Sequence, residues 1–176
     1  KIAQNYNLTR ESFFLASLRS YQEAHNNYFD EIENDVEKFA KAYHLDLSKR
    51  ILSSDLKEIL IEEFGYTVDE KELEKHENLE ELRNIFIPNK KILLIDNNIS
   101  EAQKTFIFAK ELAYNFLKIE NRLYTFPWIK FESFDQVLNN FIASYFAGAL
   151  IIPRKIIVNK LTDLFSLEEW QPLKLH

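Results

Sequence analysis

Apolar residues recur at steps of three and four from about Thr9 to His44. Phe14, Leu18, Tyr21, His25, Tyr28, Ile32, Val36, Phe39 and Tyr43 form one stripe. That spacing marks an amphipathic helix, because residues three and four apart share one helical face. The opposite face is charged, with Glu31, Glu33, Asp35, Glu37, Lys38 and Lys41. No Gly or Pro interrupts the run, so the pattern predicts one long helix or two nearly continuous ones. The stripe packs on the body of the domain or forms a dimer seam, and packing is the commoner fate of such helices. His25 lies on the stripe with no second His one turn away. It is expected to be partly buried and hydrogen-bonded rather than a metal ligand.

Further along, the pattern changes period. Leu45 to Ser53 reads as a connector. A helix follows from Ser54, with Asp55 and Glu58 as a capping box, and Gly65 ends it. Tyr66-Thr67-Val68 is short and strand-prone. Asp69 to Glu81 is dense in charge and reads as a solvated loop or short helix. Arg83–Ile87 and Ile92–Asp96 are predicted to pair as a hairpin across Pro88-Asn89-Lys90-Lys91. Ile92-Leu93-Leu94-Ile95 is apolar on both faces, which predicts a covered strand.

Asn97-Asn98 breaks that strand. Ser100 and Gln103 form a second capping box, opening a helix that runs to about Glu120. Asn121 to Phe131 is a loop rich in aromatics: Tyr124, Phe126, Trp128 and Phe131. Ser133 and Gln136 form a third box before the helix FDQVLNNFIASYFAGAL. Pro153 marks a last helix, Arg154 to about Phe165. The reading is an α+β fold, helix-dominated, with a small sheet beside the helix that carries Glu111. It divides into a helical segment, 1–45, for packing, linkage or dimerisation, and a domain, 46–176.

Composition narrows the function. The 176 residues include only 2 Gly and 4 Pro, which favours long helices over sharp turns. Fifteen Phe and eight Tyr predict an aromatic core. The absence of Cys excludes disulfides, thiol catalysis and Cys-ligated zinc or iron–sulfur clusters, and fits a cytoplasmic location. No apolar run approaches the roughly 18–20 residues of a membrane span, so no membrane partner is expected. The net charge of −6 argues against this segment gripping nucleic acid by itself. It starts with Lys and contains no Met, so a fragment of a longer protein is expected.

The candidate chemistry lies in FIFAKELAYNFL, Phe106 to Leu117. Lys110-Glu111-Leu112-Ala113-Tyr114 has the spacing of the H-E-x-x-H helix of zinc peptidases. In that helix two imidazoles at i and i+4 share a zinc ion and the Glu activates its water. Here Lys110 and Tyr114 stand at those positions. An ammonium has no lone pair for a metal, and a neutral phenol is a weak ligand. Glu111 alone keeps its place, and by itself it is an ordinary helical residue.

The order of strand, capped helix with Glu111, aromatic loop and a helix ending Phe146-Ala147-Gly148-Ala149-Leu150-Ile151-Ile152-Pro153 resembles the ImmA/IrrE-type metallopeptidases. In that family a later helix carries a third ligand, a Glu, in a pattern like E-x-x-A-x-x-F-A-x-x-L-L-x-P. Laid on Ala143, Phe146, Ala147 and Pro153, the pattern puts Asn140 at the Glu position. The resemblance covers about Asp30 to Phe165 and implies a zincin-like frame that has lost its ligands, with no cofactor.

VLNNFIASYFAGALIIPR, FIFAKELAYNFL and FSLEEWQPLKL together look like a group of bacterial regulators. These carry an Xre-type helix-turn-helix before a degenerate peptidase-like domain and are related to regulators of short-chain fatty acyl metabolism. The resemblance implies DNA binding through a helix-turn-helix outside this chain, a homodimer, and sensing of a small acyl metabolite such as an acyl-CoA. The relatives that hold iron–sulfur clusters differ, since no Cys is present here.

If the cleft persists without metal, Lys110, Glu111, Tyr114, Asn139 and Asn140 line it, and the aromatic loop, Trp128 included, forms an apolar wall. The bland alternative is an inert scaffold in which Lys110 fills the zinc's space and pairs with Glu111 or another carboxylate. Two further readings stand beside the sensor. One is an active peptidase with an atypical site, against which the scattered His25, His44, His76 and His176 argue. The other is a ligand-free structural interaction module.

Overall fold

The computed structural model describes residues 9–76, 79, 82–122 and 131–166. The amphipathic N-terminal run forms two helices rather than one, α1 (Arg10–Ala24) and α2 (Asp30–Ala42). Asn26 and Asn27 separate them at φ 52° and 55°. Asn tolerates this left-handed region better than most side chains, because its short amide can bond locally. The break shifts the stripe. Phe29, off the sequence stripe, is buried and stacks on Tyr21 and His25, with ring centroids 5.5 and 5.1 Å away.

Tyr28, on the stripe, instead lies under the Arg154 guanidinium at 4.6 Å. His25 is hydrogen-bonded to the Tyr21 carbonyl at 2.8 Å, but it is exposed rather than partly buried. In α2 the stripe reaches the core through Ile32, Val36 and Phe39, whereas α1 buries no residue fully.

Helix α3 (Ser53–Glu62) begins before the expected Asp55 and Glu58 box. Its N-cap is Leu52, with no side-chain bond, and the Ser53 hydroxyl donates instead to Glu101 at 2.5 Å. Gly65 closes the helix at φ 69°, donating to Ile61 O at 3.2 Å. The chain then enters β1 (Thr67–Asp69). The charged stretch after it is not simply solvated. Glu70 accepts from Lys57 of α3 at 2.5 Å and from Lys104 at 2.7 Å, and Leu73 is buried in a short 3-10 turn.

The hairpin forms as the pattern predicts, from β2 (Asn84–Ile87) and β3 (Ile92–Ile95), with Ile87 opposite Ile92. Its turn is a 3-10 piece, Pro88–Lys90, followed by Lys91 at φ 49°. The sheet order is β1-β3-β2, with β1 parallel and β2 antiparallel to β3. The central position of β3 explains its two apolar faces: Leu93 and Ile95 are fully buried, and Ile92 and Leu94 half-buried.

Helix α4 (Glu101–Phe116) opens on a complete capping box, with Ser100 and Gln103 each bonding the other's backbone N–H. It stops at Phe116, short of Glu120, because Lys118 turns left-handed at φ 54°. Lys118 N donates to Asn115 O and Ile119 N to Tyr114 O, the paired bonds of a Schellman stop. His44 at φ 55° ends α2 in the same manner, with Leu45 N bonded to Ala40 O.

Helix α5 (Phe134–Ile151) is capped by Ser133, but the box is half-formed. Gln136 turns its side chain to the Glu132 N–H at 3.0 Å. Pro153 is the N-cap of α6 (Arg154–Phe165). No single helix among the described residues is long and apolar enough to cross a membrane.

The core lies where α2, α3, α4 and α5 meet, with the sheet on one side. Phe39 of α2 sets its ring edge-on to Phe146 of α5 and Phe116 of α4, at 5.5 and 5.2 Å. Side chains at this depth exclude water and hold α4 and α5 at a fixed spacing, which decides what their polar residues can reach.

Helix stops made by side-chain-bearing residues in left-handed backbone carry strain that glycine lacks. Lys118→Gly is expected to raise stability by about 0.5–1 kcal/mol, and Gly65→Ala to lower it by about 1 kcal/mol. Each should move the thermal midpoint by about 2–4 °C, read by circular dichroism, in opposite directions.

Candidate functional site

Helix geometry places Lys110 and Tyr114 on one face of α4, four residues apart, while Glu111 and Asn115 lie one step round. Asn140 of α5 meets the first pair. Its Oδ1 accepts from Lys110 Nζ at 2.8 Å and from Tyr114 OH at 3.3 Å. The three residues aligned with the peptidase ligands therefore converge on one amide oxygen. Asn139 does not join them. It projects away along the helix turn and donates to Asn121 O at 2.9 Å. Trp128 lies outside the described residues.

Glu111 has a different partner from Lys110. It forms an ion pair with Arg122, from the segment following α4, and both side chains are nearly buried, 6% and 11% exposed. The second carboxylate oxygen accepts from Tyr66 OH at 3.2 Å. Tyr66 OH in turn accepts from Asn115 Nδ2 at 2.8 Å, and the same amide nitrogen donates to Glu111 O at 2.7 Å. The Arg122 guanidinium lies 4.2 Å from the ring centroid of Phe86 and 4.3 Å from that of Tyr114. Phe86 of β2 also stacks on Tyr66 at 5.1 Å.

Charge and burial together set the protonation behaviour. Desolvation holds the Lys110 ammonium below the ordinary lysine range, with Glu111 opposing the shift and Arg122 adding to it. Among the described residues its one hydrogen-bond partner is Asn140, an uncharged acceptor. Burial raises the Tyr114 phenol well above its usual 10. Tyr66 is pushed up to about 12, by burial first and then by the Glu111 charge. For Arg122 burial works against the charge, but the Glu111 carboxylate and its hydrogen bond outweigh it and raise the pKa.

Zinc does not fit these residues. Lys110 offers donors only, the Asn140 oxygen already accepts from two groups, and the nearby carboxylate is neutralised by Arg122. Among the described residues, no three His, Cys, Asp or Glu side chains are grouped to hold a metal ion. The arrangement instead leaves a half-buried ammonium with donors beyond the one given to Asn140, beside a buried phenol. A groove of about 510 Å³ lies elsewhere, between the end of α2 and α3. Tyr43, His44, Glu58 and Glu62 line it, and none of the residues above does.

Arg122, Tyr66, Phe86 and Asn115 escape a reading of spacing alone. One signal was available: Glu111 is flanked on the buried face by Phe108 and Leu112, and a carboxylate at such a position requires a cation. Which cation follows only from the left-handed stop at Lys118, which brings the chain back toward the helix.

No protein-family model matches the chain, and no curated protein sequence does. Among solved structures it is similar to a transcriptional regulator of Mycobacterium tuberculosis, with a TM-score of 0.63 and 18% sequence identity. The match covers 88% of this chain and 46% of that one, so the chain spans less than half of that regulator's length. At this identity the likeness is one of fold.

Removing the charge of Glu111 leaves a buried guanidinium without its counterion. Glu111→Gln is expected to cost about 3–5 kcal/mol in urea denaturation. Alkaline titration supplies a second check. Because the folded pKa of Tyr66 lies above its ordinary 10, its stabilising contribution is full below pH 10 and is lost as pH rises toward about 12. Tyr66→Phe should flatten the fall in stability across that window. Lys110 acts with opposite sign: its lowered pKa makes stability rise with pH through the range below 10.5. Lys110→Gln should remove that rise.

Proposed function

We propose that this chain is the ligand-sensing part of a bacterial transcriptional regulator, built on a metallopeptidase-like frame that no longer catalyses. One observation carries the reading: Lys110, Tyr114 and Asn140 meet across α4 and α5 at one oxygen. They stand at the positions where the peptidase pattern has two His and a Glu, and their chemistry suits recognition rather than metal binding. The fold shared with a regulator supports the regulatory context. In that context DNA is gripped by a helix-turn-helix outside this chain, and the regulator works as a dimer on a two-fold operator.

The ligand class is a short acyl-CoA or a similar acyl metabolite. Lys110 gives one donor to Asn140 and has others to spare for a thioester carbonyl or a phosphate. Transmission to a DNA-binding head would run through α5. This helix carries Asn140, and it also packs against the half-buried side of α1. A ligand that moves Asn140 would shift the seat of α1, a small helix displacement of the kind that drives switching.

The second reading, a ligand-free interaction module, is favoured by the Glu111–Arg122 pair, which fills the interior beside the site with the protein's own charges. Calorimetric titration with acetyl- and butyryl-CoA separates the two. Binding that disappears in Lys110→Ala is expected; no heat with any short acyl-CoA at millimolar concentration sinks the sensor. Zinc analysis of purified protein is expected to fall far below stoichiometry, and stoichiometric zinc with peptide hydrolysis would restore the enzyme. Sedimentation is expected to give a dimer, and a clean monomer at micromolar concentration would place the dimer contacts elsewhere.

A further inference from the structure

The surroundings of Arg122 have the form of a binding site. Phe86 and Tyr114 present ring faces to its guanidinium at 4.2 and 4.3 Å. Glu111 supplies a nearly buried carboxylate, and Tyr66 holds the other oxygen of that carboxylate at 3.2 Å. Asn115 fixes the Tyr66 hydroxyl at 2.8 Å. Every one of these walls stands on α4, on β2 or just before β1. None belongs to the segment that carries Arg122, which follows the end of α4.

These described walls are therefore assembled by the core, and the cation is delivered to them from the chain that follows α4. A flat, delocalised cation suits this site better than an ammonium does. It can face an aromatic ring and still direct N–H groups at a carboxylate.

We infer that the space bounded by Glu111, Tyr66, Phe86 and Tyr114 is a receptor for a guanidinium group, filled in cis by Arg122, that will take a free guanidino compound once that side chain is removed. The ligand class is a metabolite or peptide side chain ending in a guanidinium. In the native chain Arg122 acts as a tethered competitor, and its high effective concentration keeps weak free ligands out. Acyl binding at Lys110 uses the adjacent side of α4 and shares Tyr114, whose hydroxyl meets Asn140 while its ring faces Arg122. Guanidinium rescue in Arg122→Ala and loss of acyl-CoA binding in Lys110→Ala are nonetheless separate readouts.

The test is chemical rescue. Arg122→Ala should melt about 5–10 °C below the wild-type chain, since it strands the Glu111 carboxylate. Ethylguanidinium should restore part of that loss, saturating on the order of 1–10 mM, as suits so small a ligand. Ethylammonium and ethylurea, which lack the flat shape and the charge respectively, should restore little. The wild-type chain should not shift at the same concentrations, and Arg122→Ala combined with Glu111→Gln should lose the rescue.

If Arg122→Ala holds no folded state, the neutral Arg122→Gln is titrated in its place. Refolding of Arg122→Ala on adding ethylguanidinium, read by circular dichroism, is then expected as well. No saturable shift in either variant, or an equal shift in the wild-type chain, overturns the inference.

Discussion

The ion pair between Glu111 and Arg122 is the constraint on which the local structure turns. Glu111 sits on the face of α4 that also buries Phe108 and Leu112. A carboxylate at that depth costs several kcal/mol unless it is paired and hydrogen-bonded. Arg122 meets the charge and Tyr66 meets the second oxygen. Together they tie the helix to the sheet on one side and to the chain beyond α4 on the other. The left-handed stop at Lys118 and the ion pair thus act together to return Arg122 to a charge placed eleven residues before it.

The pair also divides the cations of the site. Lys110 and Arg122 both lie near one carboxylate, and the carboxylate goes to Arg122. Among the described residues Lys110 is left with the Asn140 amide, an uncharged hydrogen-bond acceptor. Desolvation lowers its pKa, the Glu111 charge opposes that shift and the Arg122 charge adds to it. Two adjacent helix positions consequently have different characters. The Glu111 side pairs opposite charges, and on the Lys110 side the ammonium has an uncharged acceptor among the described residues. Under the proposed reading the ligand meets the second side, while the first keeps the frame rigid.

Much of the fold was legible from spacing. The hairpin around Pro88, the apolar strand Ile92–Ile95 and the Ser100–Gln103 box all follow from local chemistry that the structure honours. Helix ends were harder to read. With only 2 Gly, the chain stops α1, α2 and α4 with Asn26, His44 and Lys118 in left-handed backbone. Lys and His give no sign of this in the sequence, so α4 read four residues too long. The N-terminal stripe misled for a similar reason. Its period carries across Asn26-Asn27 in the sequence, while the backbone turns there and hands the buried place to Phe29. Lys110, Tyr114 and Asn140 could be aligned with one another through two motifs. Arg122 belongs to no motif, and only the burial of Glu111 calls for it.

The sheet has a consequence for how this chain can be recognised. Its outer strands, β1 and β2, are three and four residues long. Borders that short offer too few unpaired backbone groups to template an added strand, which guards the fold against edge-to-edge aggregation. An extended peptide has little ladder to join here.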